Sequence, residues 1–255
     1  MSGHSKWHSI KHQKMATDAK RGAQFTKLAR EIIVAVRKGG PNPDANYSLR
    51  LAIQRAKDSS MPFDNISRAI DKGAGTGEGA QLQEMILEGY GPSGSAILVQ
   101  AVSDNRNRTV QSVRNIFQRS GGNMAEAGSV AWIFENRGVI SVKANGKDPD
   151  ELGLLAIDAG AEDVQTEGEF ITVYTAPGKL EEVRVALERN DIKVEEAETR
   201  MVPKQTLDLE VKAAVQALKL IENLEELEDV SKVDSNVNFT DEAMAAYEEA
   251  VKTGK

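Results

Sequence analysis

The chain of 255 residues contains no cysteine. That excludes disulfides and cysteine-ligated zinc, and it fits a reducing compartment, so a cytoplasmic location is expected. No apolar run approaches the roughly 20 residues that a bilayer-spanning helix needs, so no membrane is expected as a partner. The N-terminus is basic but has no apolar segment behind it, unlike a secretory signal. Histidine is scarce too: His4, His8 and His12 are the only three. With no thiol, no serine in a nucleophile elbow and no histidine elsewhere, nucleophilic catalysis has no candidate residues. The glycine-rich stretch 73–79 lacks the Lys-Ser/Thr pair and the preceding strand of a phosphate loop. Acidic Glu195, Glu196, Glu198, Glu225, Glu226, Glu228 and Asp229 read as residues that solubilise exposed faces. The expectation is a protein that is not an enzyme, with no cofactor and no small-molecule substrate.

What is present is a split of charge. Residues 1–75 hold 14 Lys/Arg against 6 Asp/Glu, a net of +8, whereas the remaining 180 hold 18 against 33, a net of −15. A basic element attached to an acidic body implies that one end touches a polyanion and the rest does not.

The basic end has two parts. Read as a helix over 18–38, Phe25, Leu28, Ala29, Ile32 and Val36 share one face, while Lys20, Lys27, Arg30, Arg37 and Lys38 fall on the other. In front of it lies a tail carrying His4, Lys6, Trp7, His8, Lys11 and Lys14, with too little apolar surface to pack by itself. The histidines recur at i, i+4 and i+8, but Lys6 and Lys11 oppose a dication and no carboxylate or thiolate completes a site, so no metal is expected. They read as donors beside Trp7, which can stack on a base or ribose. Arg21 belongs to the same basic set, as do Arg50 and Arg55 of the next helix. Arg106 and Arg108, in the turn Ser103–Thr109, form a second and weaker anion-contact candidate on the acidic body. The partner expected is nucleic acid, and nothing in these residues separates DNA from RNA; a monomer is expected.

A second amphipathic helix fits about 45–58 and a third runs from Pro62 to just before Gly73, making a small three-helix bundle. Strands follow at 85–90 and 96–103, then a helix at 109–119, a strand at 129–134 and a turn at 136–138. From 139 to 203 the order reads β-α-β-β-α-β, the ferredoxin-like pattern. A long helix over 207–227, a strand at 230–237 and a terminal helix at 241–252 complete the chain. The fold class expected is α+β: an N-terminal three-helix bundle followed by two α/β domains, the last ferredoxin-like and inserted into the other. The corresponding domains are 1–79, then 80–135 plus 206–238, with 136–205 inserted and 239–255 as a helical tail. A simple chain of independent domains is the competing reading.

At this level the chain resembles a known family. Gly3-His-Ser-Lys-Trp7, Asp18-Ala-Lys-Arg-Gly22, Phe25-Thr-Lys-Leu28, Gly39-Gly-Pro-Asn-Pro43, Glu88-Gly-Tyr-Gly-Pro92, Asp104-Asn-Arg-Asn-Arg-Thr109, Gly121-Gly-Asn123 and Gly160-Ala-Glu-Asp-Val164 are similar to motifs of the YebC family. Its members are named probable transcriptional regulatory proteins, and its mitochondrial relatives act as translational activators. The resemblance runs from residue 2 to about 240. It implies a cytoplasmic, non-enzymatic protein that acts on gene expression, with the architecture proposed above. Two mechanisms follow from it: the basic domain binds promoter DNA and changes transcription, or it binds ribosomal RNA on the ribosome and relieves stalled peptide synthesis. A protein-interaction scaffold is the contrasting class.

Overall fold

The structure, a computed structural model, describes residues 18–75 and 82–253, with side chains from residue 21 onward in the first segment. It is an α+β protein whose first part is helical. Helix α1 (Asp18–Gly39), α2 (Tyr47–Asp58) and α3 (Phe63–Ala74) pack around Leu28, Ile32, Val36, Leu49, Ala52, Ala56, Ile66 and Ala69. Asn46 sets the corner between the first two helices. Its side-chain oxygen caps α2 by accepting the Leu49 N–H at 3.1 Å, and its amide donates to the Ala35 and Gly40 carbonyls, both at 2.8 Å. Helix α3 approaches α1 so closely that a Cβ on Gly73 would lie 2.7 Å from Val36 Cβ. The glycine expected to end α3 is therefore inside it, as a contact point.

The second part is a sheet in the order β3-β1-β2-β9, made of β1 (Gln83–Tyr90), β2 (Ala96–Ser103), β3 (Asn123–Ala125) and β9 (Val230–Ser235). Helix α4 (Arg106–Arg119) and α7 (Val211–Glu225) cover one face through Val113, Phe117, Leu218, Leu220 and Ile221. The other face is closed by Val130 and Phe134 against Ala96 and Leu98.

The third part lies in sequence between β3 and α7. Its sheet, β5-β6-β4-β7, is made of β4 (Phe134–Lys143), β5 (Asp163–Glu167), β6 (Phe170–Thr175) and β7 (Val194–Pro203), with α5 (Pro149–Asp158) and α6 (Leu180–Arg189) on one face. All of its pairings are antiparallel, which gives the ferredoxin-like β-α-β-β-α-β arrangement.

Three local expectations are corrected. Segment 129–134 is not a strand of the first sheet. Its Ala131–Ile133 is a 3-10 turn, and Phe134 already belongs to β4. Residues 136–138 are not a turn, because β4 pairs with β7 from Phe134 to Val142. Gly138 is there for space: a Cβ would stand 2.2 Å from Thr175 Oγ1. The long helix starts at Val211 rather than 207, because β8 (Leu207–Asp208) pairs in parallel with β10 (Val237–Asn238). Helix α8 (Asp241–Thr253) packs on the first sheet, where Ala243, Met244 and Tyr247 are buried with Phe239 in its core. Among the described residues no helix is long and apolar enough to cross a membrane.

Candidate nucleic-acid interface

The two faces expected of α1 are only partly separate. Its apolar stripe is in the core, but Ile32, Ile33, Val34, Ala35 and Val36 are all buried, so the helix is enclosed through its middle turns. It touches β2 and β9 as well as its own bundle, and the side expected to be free is docked at Lys27 and Arg30 and exposed at Arg37 and Lys38. Lys27 donates to the Glu225 carbonyl at the end of α7. Arg30 donates to Asp229 and to the Glu228 carboxylate, each at 2.7 Å, and to the Glu228 carbonyl at 3.1 Å. Lys27 sits where the last carbonyls of α7 leave negative charge unsatisfied, and Arg30 binds the segment just beyond the helix end.

Asp229 is the hub of that junction. Besides Arg30 it accepts Thr109 Oγ1 at 2.7 Å, Arg108 at 3.0 Å and Ser103 Oγ at 3.1 Å. Burial pushes its carboxyl up, but the hydrogen bonds from Thr109, Arg108, Arg30 and Ser103 outweigh this and hold it below the usual carboxylate range. Arg108 also pairs with Asp104 at 2.9 Å. The structure thus brings together two candidate groups that are far apart in sequence, α1 and the start of α4, across one shared carboxylate.

A second junction joins all three parts. Arg55 of α2 pairs with Glu31 at 2.5 Å and with Glu198 of β7 at 3.2 Å. Glu198, 4 % exposed, also binds Lys232 of β9 at 2.8 Å and Arg200 at 3.0 Å, and Arg200 reaches Asp234 at 2.9 Å. Burial alone would raise the Glu198 carboxyl; Lys232, Arg55 and Arg200 together hold it well below its ordinary value. Burial would likewise lower Arg55, yet Glu31, Glu198 and Glu196 raise it above its ordinary value. Glu198, Arg200 and Asp234 line a cleft with Glu196, Tyr174 and Met201, and the charges of the network are matched to one another. Glu198 and Asp229 are therefore not solubilising surface residues, as the sequence reading expected of them, but ties between domains.

The remaining expected contacts divide as follows. Arg21 is exposed. Arg37 is exposed with no ion pair among the described residues. Lys38 is exposed and pairs with Glu84. Arg50 is exposed, its guanidinium 5.9 Å from the Tyr47 ring centre. Arg106 is exposed and unpaired among the described residues. Lys20 lies on the first turn of α1, and His4, Lys6, Trp7, His8, Lys11 and Lys14 lie outside the described residues. The sequence reading passed over Arg114 and Arg119, exposed on α4 without ion pairs among the described residues. Their signal was available: among the described residues, α4 is the only one of eight α-helices without an acidic residue.

Comparison with known proteins agrees with the three-part architecture. A model of the TACO1/YebC protein N-terminal domain matches residues 5–76, and a model of the TACO1/YebC second and third domain matches residues 82–237. A probable transcriptional regulatory protein of Dehalococcoides mccartyi is 56 % identical over 247 residues, covering 97 % of this chain and 98 % of the relative. One of the same name from Herpetosiphon aurantiacus is 48 % identical over 250 residues, covering 98 % and 99 %. The crystal structure of a conserved hypothetical protein from Aquifex aeolicus superposes with a TM-score of 0.80 at 47 % identity, over 87 % of this chain and 91 % of that one. In sequence along its whole length and in fold, this chain belongs to the TACO1/YebC family.

Proposed function

We propose that the protein is a non-enzymatic regulator of gene expression that binds nucleic acid directly, taking duplex DNA through its basic N-terminal domain. The observation that carries this reading is the charge split: a net of +8 in residues 1–75 against −15 in the remaining 180. Arg37 and Arg50 face solvent and supply phosphate contacts together with the basic residues ahead of α1. Lys27, Arg30 and Arg55 are engaged in internal contacts and act by fixing the domain against the body. The names of the relatives support a role in transcription.

A second reading has an observation in its favour. Because the middle of α1 is enclosed, the basic face of the N-terminal domain is not a free recognition helix. An irregular ribosomal RNA surface, met by arginines and stacking side chains, suits such a face and would make the protein a ribosome-associated translation factor. Affinity measured against salt for duplex DNA, structured ribosomal RNA and whole ribosomes separates the two, with the intact chain compared to one lacking residues 1–14. Tight, sequence-selective duplex binding weakened by the truncation supports transcription. Tighter RNA or ribosome binding at physiological salt replaces it with translation, and binding to none of the three refutes both.

A further inference from the structure

Helix α4 carries the one helical face in the described protein that is uniformly suited to reading a duplex. It is 14 residues long, about 21 Å at 1.5 Å per residue. Val113 and Phe117 are fully buried beneath it, and Asn105 caps it by accepting the Arg108 N–H at 3.1 Å. Its outward positions are Asn107, Gln111, Arg114, Asn115, Gln118 and Arg119, all exposed and all making no side-chain hydrogen bond among the described residues, together with Arg108, which is exposed on the same face but paired with Asp104 and Asp229. At 100° per residue they span an arc of about 140°. The amides fill the middle of that arc and the two arginines mark its rims, with Arg106 exposed at the N-terminal end. No acid and no large apolar side chain interrupts the face, although the chain outside residues 1–75 is strongly acidic.

These are the residue types that pair with base edges and phosphates. Asn and Gln bond adenine bidentately, Arg bonds guanine or phosphate, and a B-form major groove about 12 Å wide admits one helix. The deep, narrow major groove of an A-form RNA helix does not. Placement agrees: Arg30 of α1 and Arg108 of α4 share Asp229, so the start of α4 lies beside the N-terminal domain and one duplex can meet both.

We propose that the outward face of α4 docks in the major groove of duplex DNA, with Arg106, Arg114 and Arg119 on phosphates and the central amides on base edges. Arg108 is excluded from this role because Asp104 and Asp229 already neutralise it. The inference rests on the nucleic-acid reading above and gives it a second, independent contact surface.

The test uses the full chain, a short mixed-sequence DNA duplex and the RNA duplex of the same sequence. For Arg106→Gln/Arg114→Gln/Arg119→Gln, the slope of log K against log salt on DNA should become shallower by about 2.7, at about 0.9 per phosphate contact. On the RNA duplex the slope should move by less than about one. Gln111→Ala/Asn115→Ala should leave the DNA slope unchanged and reduce discrimination within a panel of duplexes about tenfold. All five side chains are exposed, so thermal unfolding should match the wild type and report any misfolding. A DNA slope unchanged by the triple substitution, with the truncation of residues 1–14 still weakening binding, overturns this inference and leaves the proposed function standing. Equal slope loss on both duplexes overturns the groove assignment. Failure of the wild type to bind either duplex removes this inference together with the DNA reading on which it rests.

Discussion

Replacing Glu198 by Gln should cost more stability than any other single charge removal in the described protein. Glu198 is 4 % exposed and forms ion pairs with Lys232 at 2.8 Å, Arg200 at 3.0 Å and Arg55 at 3.2 Å, one cation from each of three separate elements. Neutralising it strands those cations unequally. Arg200 keeps Asp234 and Arg55 keeps Glu31, whereas Lys232 is left with the Thr199 carbonyl at 2.6 Å. Removing one partner of a buried ion pair costs about 3–5 kcal/mol, mostly from the uncompensated charge left behind. The two retained pairs place the expectation at the lower end, about 3 kcal/mol. Urea unfolding at neutral pH measures it, with Glu195→Gln as the control, since the Lys193–Glu195 pair is exposed and should change stability by less than about 0.5 kcal/mol. The pH dependence has a definite sign. The folded carboxyl lies below its unfolded value of about 4.3, so its contribution is complete above that pH and is lost as pH falls through the folded value. The gap between wild type and variant should therefore close in acid. A Glu198→Gln protein within about 1 kcal/mol of wild type at neutral pH would refute the claim that this network holds the three parts together.

Asp229→Asn should loosen the docking of α1 on the body, costing about 2 kcal/mol for the lost charge-assisted hydrogen bonds. Faster amide exchange in α1 and near Thr109 would report it. Because the Asp229 carboxyl is also held below its ordinary value, this effect too should fade below about pH 4. Glu88, which accepts the Gly128 and Val130 N–H groups at 2.7 Å and that of Ala131 at 2.9 Å, organises the loop before β4. Glu88→Ala should destabilise by about 2 kcal/mol and expose that loop to protease, and retained resistance would count against it. Gly73→Ala gains helix propensity of about 1 kcal/mol but places a Cβ 2.7 Å from Val36 Cβ and 3.0 Å from the Ile33 carbonyl. The clash should win, for a net loss of about 1 kcal/mol in thermal unfolding.

The sequence was most readable where a local period carries the information. Leu28, Ile32 and Val36 show the core stripe of α1 because burial against one neighbour repeats every 3.6 residues. The ferredoxin-like order was legible for the same reason, with each element long enough to declare its type. It failed where long-range contacts override local pattern. Arg30 looks like a free cation until Asp229, 199 residues away, is placed beside it. The Asn-Arg-Gly at 136–138 has turn chemistry, yet nine residue pairs between β4 and β7 keep it extended. Glu198 looks like surface because its partners come from α2, β7 and β9. The face of α4 escaped for a different reason: reading a helix for its apolar side leaves the composition of the other side unexamined.

Direct binding of nucleic acid by the basic domain is tested most sharply by the affinity of the intact chain for duplex DNA over a range of salt. A basic domain meeting phosphates, with an acidic body held away, predicts that log K falls with log salt with a slope steeper than about −4, at about −0.9 per phosphate neutralised. A slope flatter than about −1, or no binding at low salt, would contradict it.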